Sequence, residues 1–211
     1  MRWVFGVDPL PESLEFASLM RTVTGLVLSL EAPHAPVRRL IAALRGAEAE
    51  LRHLVPGSPA PRVGANATAD GRVYLDHSRD IGAYNPCFPA YDIRVDGDRA
   101  SGAVTFPVAY EGPPGIVHGG FLAVFFDSVI QHHNCDVGVA GKTTSLTVTY
   151  RRPTPLLTEL QFEVERSAVD RRITSTARLM ADGTVLCEAQ MSAVAGNLAQ
   201  LPAVSPRRVG A

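Results

Sequence analysis

Two features of the stretch YEGPPGIVHGGFLAVFFD, Tyr110 to Asp127, suit chemistry on a carbonyl group. Gly112, Pro113, Pro114 and Gly115 force a turn, and His118-Gly119-Gly120 then opens an apolar run. The first N–H groups of a helix have no partner within it, and glycines leave them unshielded, so a carbonyl oxygen or an anion can approach Gly119 and Gly120 closely. That is the geometry of an oxyanion hole. The second feature is Asp127, set among Phe125, Phe126, Val129 and Ile130. A carboxylate in such company is costly to bury unless something partners it. Gly120, Val124, Asp127 and Gln131 follow the spacing i, i+4, i+7, i+11, which places the acid on one stripe with a glycine and away from Phe125 and Val129. Alone, the Asp is most simply satisfied by a local hydrogen bond. With a bared helix start on the same stripe, the functional reading is the stronger.

Distance then limits the arrangement. Gly119 and Asp127 are eight residues apart, and at 1.5 Å per residue that is about 12 Å, too far for both to act on one carbonyl. Two identical helices running antiparallel across a two-fold axis bring the helix start of one copy to the acid of the other, so the spacing calls for a homodimer with two composite sites.

Other reactive side chains are better explained without chemistry. His132, His133, Cys135 and Asp136 crowd the end of the same run, but adjacent residues on a helix diverge by about 100°, so the two imidazoles do not share one ion. Ser128 has no identifiable base beside it. Arg151 and Arg152, and likewise Arg171 and Arg172, flank strands and are placed to meet the phosphates of a coenzyme A. Arginines at strand ends are also commonly just solvated. No phosphate-binding loop or dinucleotide fingerprint is present.

The elements that position these residues follow from periodicity. Leu10, Leu14, Val23, Val27 and Leu30, then Val37, Leu40, Ile41, Leu44, Leu51 and Leu54, recur at helical spacing and predict two helices, with Pro33 and Pro36 bracketing the connection. Pro56 to Gly71 is rich in Pro, Gly and Ala without any period and reads as a linker. Beyond it the period becomes two: Ile93 and Val95; Val104, Phe106 and Val108; Leu146, Val148 and Tyr150; Leu160, Phe162 and Val164; then Ile173–Met180 and Val185–Ala195, joined by Asp182-Gly183. The last three strands are expected to form an antiparallel meander. Gly119 to Asn134, apolar on nearly every side, predicts a buried helix between the early strands and the later ones. The fold class is therefore α+β, a sheet wrapped around one helix. The domain division expected is 1–71 as helical extension and linker, 72–200 as the main domain and 201–211 as a tail.

Composition narrows the function class. The chain has 211 residues, 46% of them hydrophobic and 19% charged, enough for one packed domain with an appendage. Twenty Lys+Arg against 21 Asp+Glu give no reason to expect nucleic acid or an anionic membrane as partner. Cys87, Cys135 and Cys187 are odd in number and widely spaced, which fits neither a disulfide framework nor a zinc knuckle and points to a reducing cytoplasm. No signal-peptide core or bilayer-length apolar run is expected.

The pattern V-H-G-G with Asp nine residues after the His, followed by the Thr/Ser-rich strand TSLTVTYRRPTPL from Thr144 to Leu156, resembles the hot-dog-fold acyl-CoA thioesterases of the phenylacetate-pathway (PaaI-like) group. The resemblance spans roughly residues 84–195 and leaves the N-terminal helices outside it. It implies a dimer whose subunit interface receives the pantetheine arm of the thioester. By motif it implies that Asp127 activates water or attacks the thioester, that the Gly119 N–H polarises the carbonyl, that His118 orients that loop, and that Thr143 positions the water. Gly120 and Thr144, beside these, are expected to touch substrate. Several members of the group carry an Asn six residues ahead of the His, where this chain has Gly112. Asn85, in the Asn85-Pro86 turn, is a candidate substitute, although an Asn-Pro is more often only a turn. The resulting expectation is an acyl-CoA thioesterase working as a homodimer or dimer of dimers, with no metal or cofactor. The alternative is a non-catalytic hot-dog protein that binds an acyl-CoA or another small ligand.

Overall fold

The fold is described from a computed structural model, for residues 4–7, 12–55, 73–75, 79–138 and 141–195. The linker expected at 56–71 and the tail expected at 201–211 lie outside those residues. In chain order the elements are β1 (Val4–Val7), α1 (Glu12–Leu28), α2 (Ala35–Leu54), β2 (Val73–Leu75), α3 (Ile81–Tyr84), β3 (Tyr91–Asp96), β4 (Arg99–Thr105), α4 (Gly119–Asp136), β5 (Gly141–Tyr150), β6 (Glu159–Val169), β7 (Arg172–Ala181) and β8 (Thr184–Ala195).

Six of the strands form one antiparallel sheet in the order β3-β4-β6-β7-β8-β5. Turn chemistry sets its hairpins. Asp182 and Gly183 both have positive φ, 46° and 74°, the type I′ geometry whose twist matches the strands it joins. The expected meander β6-β7-β8 is present. Alternation along it sends Leu160, Phe162 and Val164, then Ala177 and Leu179, then Cys187, Ala189 and Met191, into one core. Against that face lies α4, whose Phe125, Phe126, Val129 and Ile130 are fully buried. Edge-on ring contacts of Phe125 with Phe106, Phe162 and Tyr91, centroids 5.3–6.1 Å apart, tie the helix to the sheet.

Three details depart from the periodicity. The strand expected to continue through Phe106 and Val108 stops at Thr105, because Pro107 cannot donate to the ladder, and Val108–Tyr110 forms a 3-10 turn. Helix α4 is not buried on every side: Gly120 is exposed and Val124, Asp127 and Gln131 are half-buried, so the predicted stripe is the one its own sheet leaves uncovered. Two short strands, β1 and β2, pair in parallel at Val4↔Val73 and Phe5↔Tyr74, linking the N-terminus to the segment after the linker.

The two N-terminal helices form where the spacing places them. Helix α1 docks through the buried Ala17 and through Arg21, whose guanidinium donates to the carbonyls of Gly82 and Asn85 at 2.8 and 3.2 Å. Pro36 sits in the first turn of α2, where its missing N–H costs nothing.

Candidate active site

Helix α4 starts from a tightly held loop. The Gly112 N–H donates to the Ile116 carbonyl at 2.9 Å, the Glu111 carboxylate accepts from the Gly115 N–H at 2.7 Å, and the His118 N–H donates to the Tyr110 carbonyl at 2.9 Å. A Cβ at Gly112 would lie 2.8 Å from the Cα of His118. An Asn at this position would therefore have to push the loop apart, and the backbone has closed over the place of the group's additional amide. Asn85 Oδ1 accepts the Cys87 N–H at 3.0 Å in an Asx turn, the structural role that Asn-Pro commonly has.

His118 caps α4. Its Nδ1 accepts the Gly120 N–H at 3.0 Å, which assigns the ring proton to Nε2. The expectation that both glycine N–H groups are open is therefore corrected. Gly120 serves the cap, and among the described residues the Gly119 N–H has no acceptor. Tyr150, which the sequence reading did not single out, completes this end: its hydroxyl donates to the Gly119 carbonyl at 2.9 Å. Partial burial raises the pKa of that phenol. The Tyr110 hydroxyl, buried and without a hydrogen-bond partner among the described residues, is pushed up to about 12 by the same cause.

The acid lies further along the helix in a three-residue chain. Gln131 Nε2 donates to Thr143 Oγ1 at 2.8 Å, and Thr143 Oγ1 donates to Asp127 Oδ1 at 3.0 Å. The Gln131 Nε2 group can only donate and the carboxylate can only accept, so the direction of the Thr143 proton is fixed. Thr143 reaches the helix because of an irregularity. The β5–β8 register runs Thr143↔Ala193 and then Ser145↔Ser192, leaving Thr144 as the extra residue of a bulge whose hydroxyl donates to the Ser192 carbonyl at 3.0 Å. Without the bulge, parity with Leu146 and Val148 would aim Thr144 at the helix instead.

The remaining expected residues lie elsewhere. Arg151 pairs with Glu188 at 2.8 Å on the outer face of the sheet, which also carries Thr147, Thr149 and Arg178. The backbone N–H groups of Arg151 and Arg152 share the Leu186 carbonyl at 2.8 and 3.0 Å. Ser128 donates to the Val124 carbonyl at 2.7 Å and is a packing residue. His132 and His133 are buried: His132 Nδ1 meets the Tyr91 hydroxyl at 3.2 Å and His133 Nε2 meets the Gly97 carbonyl at 2.9 Å. Burial lowers the pKa of both rings. Among the described residues no group of three or more His, Cys, Asp or Glu is arranged to hold a metal ion.

With the sheet, the central helix and this stripe in place, comparison with known structures is decisive for the fold. The chain is similar over 90% of its length, and over 94% of the other chain, to a crystallised protein described as a thioesterase superfamily protein, at 28% identity and a TM-score of 0.71. The chain is a hot-dog-fold protein related to the thioesterase superfamily. Shorter likenesses cover half of it. One is to a thioesterase-type protein from Streptococcus pneumoniae crystallised with coenzyme A (18% identity, 50% of this chain and 87% of that one, TM-score 0.47). Another is to a phenylacetic acid degradation-related protein from Ralstonia eutropha (22%, 49% and 83%, 0.45). No family model matches the chain. A likeness over 90% of the chain is longer than the sheet and α4 together, so it extends into the N-terminal part of the chain. No helix among the described residues is long and apolar enough to cross a membrane.

Proposed function

We propose that this chain hydrolyses acyl-CoA thioesters at a site shared by two copies. The observation that carries the reading is the Gln131–Thr143–Asp127 chain on the same uncovered stripe of α4 whose start presents the free Gly119 N–H. In this reading the substrate carbonyl oxygen accepts from Gly119 N–H of one copy, at the positive end of the helix dipole. Asp127 of the other copy, steadied by Thr143, takes a proton from water as the water oxygen adds to the carbonyl carbon, or adds to that carbon itself. Collapse of the tetrahedral intermediate breaks the carbon–sulfur bond and the electron pair leaves on sulfur. In the base route the proton held by Asp127 passes to the thiolate, giving a carboxylic acid and free CoA; in the nucleophile route the thiolate leaves an Asp127 acyl anhydride, which water opens to the carboxylic acid and the free Asp127 carboxylate, a proton of that water passing to the thiolate.

The division of labour differs from the sequence expectation at one atom. Thr143 orients the acid, and a water at this site donates to the second oxygen of Asp127. Residues 72–200 form the catalytic domain in this proposal, and the free thiols of Cys87, Cys135 and Cys187 suit work in the cytoplasm. The packing of Gly112 against His118, which leaves no room for an added amide, favours one competing reading: a hot-dog protein that binds an acyl-CoA without turning it over. Thiol release across short, long and aromatic acyl-CoAs tests the two. Turnover that disappears in Asp127→Asn supports hydrolysis. Saturable binding with no release on any chain supports the binder.

A further inference from the structure

Strand β6 alternates Leu160, Phe162 and Val164 into the core, and the same parity brings in Arg166 next. Only 5% of that side chain is exposed, and a buried guanidinium is costly unless its donors are met. Asp98, in the turn between β3 and β4, accepts from Nη1 at 3.2 Å. Nε takes a different partner. It donates at 3.1 Å to Oδ1 of Asn134, a fully buried amide in the last turn of α4. Asn134 Nδ2 in turn donates to Oε1 of Gln131, one turn back along the helix, at 3.5 Å, the longest link of the run. Gln131 then leads through Thr143 to Asp127.

The two ends fix everything between them. A guanidinium can only donate and a carboxylate can only accept. Turning over either amide, or both, would set donor against donor somewhere along the run, so one orientation of the pair remains, and in it every hydrogen bond points from the cation towards the acid. Met191 Sδ, 3.8 Å from both Gln131 Nε2 and Thr143 Oγ1, is a weak acceptor and does not compete with the carboxylate at 3.0 Å. We propose that Arg166 and Asn134 are positioning residues of the Asp127 site: together they hold Gln131 in the orientation that keeps the Thr143 proton on Asp127. Both act through Gln131. Hydrogen bonds that run in one direction polarise one another, so the pull of the buried cation reaches the acid along the whole run. The proposal rests on the reading of Asp127 as base or nucleophile, and it lies within one chain, so it needs nothing of a second copy.

Asn134→Asp reverses the run with almost no change of shape. The new carboxylate still accepts from Arg166 but cannot donate, so Gln131 must turn its NH2 towards it and its oxygen towards Thr143, which draws the Thr143 proton off Asp127. In thiol release from acyl-CoAs, kcat should fall about 10- to 100-fold with KM little changed. Adding Gln131→Met, which removes the misplaced oxygen, should raise kcat again. A residue that only packs gives no such recovery, so Asn134→Asp at wild-type kcat, or a double variant no faster than Asn134→Asp alone, would overturn the proposal. The side-chain NH2 signals of Gln131 in NMR spectra of the full chain read the same run without turnover. Arg166→Gln, which can turn either end of its amide to Asn134, should move them while those of Asn85 stay in place. Unmoved Gln131 signals would overturn the proposal even where Asn134→Asp does not fold or the wild type releases no thiol. Moved signals in a wild type that releases no thiol would support the run and contradict only the reading of Asp127.

Discussion

The Thr143 hydroxyl has one proton, and Gln131 decides where it goes. Because the amide of Gln131 donates to the oxygen, the proton points at Asp127. Hydrogen bonds to a charged group are worth about 1.5–3 kcal/mol, so Thr143→Val should lower kcat/KM for thioester hydrolysis roughly 10- to 100-fold while Thr143→Ser stays near wild type. Equal activity in both variants would remove Thr143 from the site. Asp127→Asn keeps an acceptor for Thr143 but loses the charge, and a loss of about 10²- to 10⁴-fold is expected with the fold unchanged by circular dichroism. Asp127 and the Gly119 start stood out as candidates in one dimension because each breaks a local rule, a carboxylate among phenylalanines and a helix begun by glycines. The assignment of Thr143 came with the family resemblance, and its physical basis is the Thr144 bulge, which depends on how β5 pairs with β8. Tyr150 was missed because its reach to the Gly119 carbonyl is set by the packing of β5 against the helix start.

Among the elements, α4 is the one on which the rest depends. Phe125 is fully buried against rings from β3, β6 and the segment after β4. Phe125→Ala should cost about 3–5 kcal/mol in denaturant unfolding. The last turn of α4 adds a pH dependence. His133 is enclosed, its Nε2 hydrogen-bonded to the Gly97 carbonyl and its Nδ1 without a partner among the described residues, and burial holds its pKa below 6.5, as it does for His132. A histidine depressed in the native state takes up its proton more readily when unfolded, so stability is full above pH 6.5 and falls as pH drops below it, by up to about 1.4 kcal/mol per pH unit for each ring. Melting temperatures measured from pH 7.5 to 5 should show this fall, with a shallower slope in His133→Gln. A slope unaffected by the substitution would exclude His133 as a source. The long strands and the Asp182-Gly183 hairpin were legible because alternation and turn chemistry agree. Strands β1 and β2, four and three residues long, carry too little alternation to be read, and Pro107 ended β4 where the alternating apolar residues ran on.

At the scale of the whole molecule, the stripe of α4 and the ten-residue edge strand β5 are, with the helical arm, surfaces left uncovered among the described residues. An exposed edge of that length is a template for pairing with another chain. The proposal of a second copy comes from the spacing of Gly119 and Asp127, because helical rise converts eight residues into a distance of about 12 Å. What covers the arm was not legible, since helical spacing does not say whether a partner lies within the chain.

Complementation between two inactive variants addresses the shared site most directly. Gly119→Pro deletes the N–H at a helix position that tolerates proline, its ring needing only that Tyr150, 3.1 Å from where a Cβ would sit, give way slightly, and His118, with φ −62° and ψ 131°, already has the conformation a residue before proline adopts. Asp127→Asn deletes the acid. Mixed one to one with exchange of subunits, the two should recover up to about a quarter of wild-type thiol release, because half of the dimers are mixed and each of those holds one intact site. Mixed dimers that form and remain as inactive as the separate variants would contradict a site built from both copies.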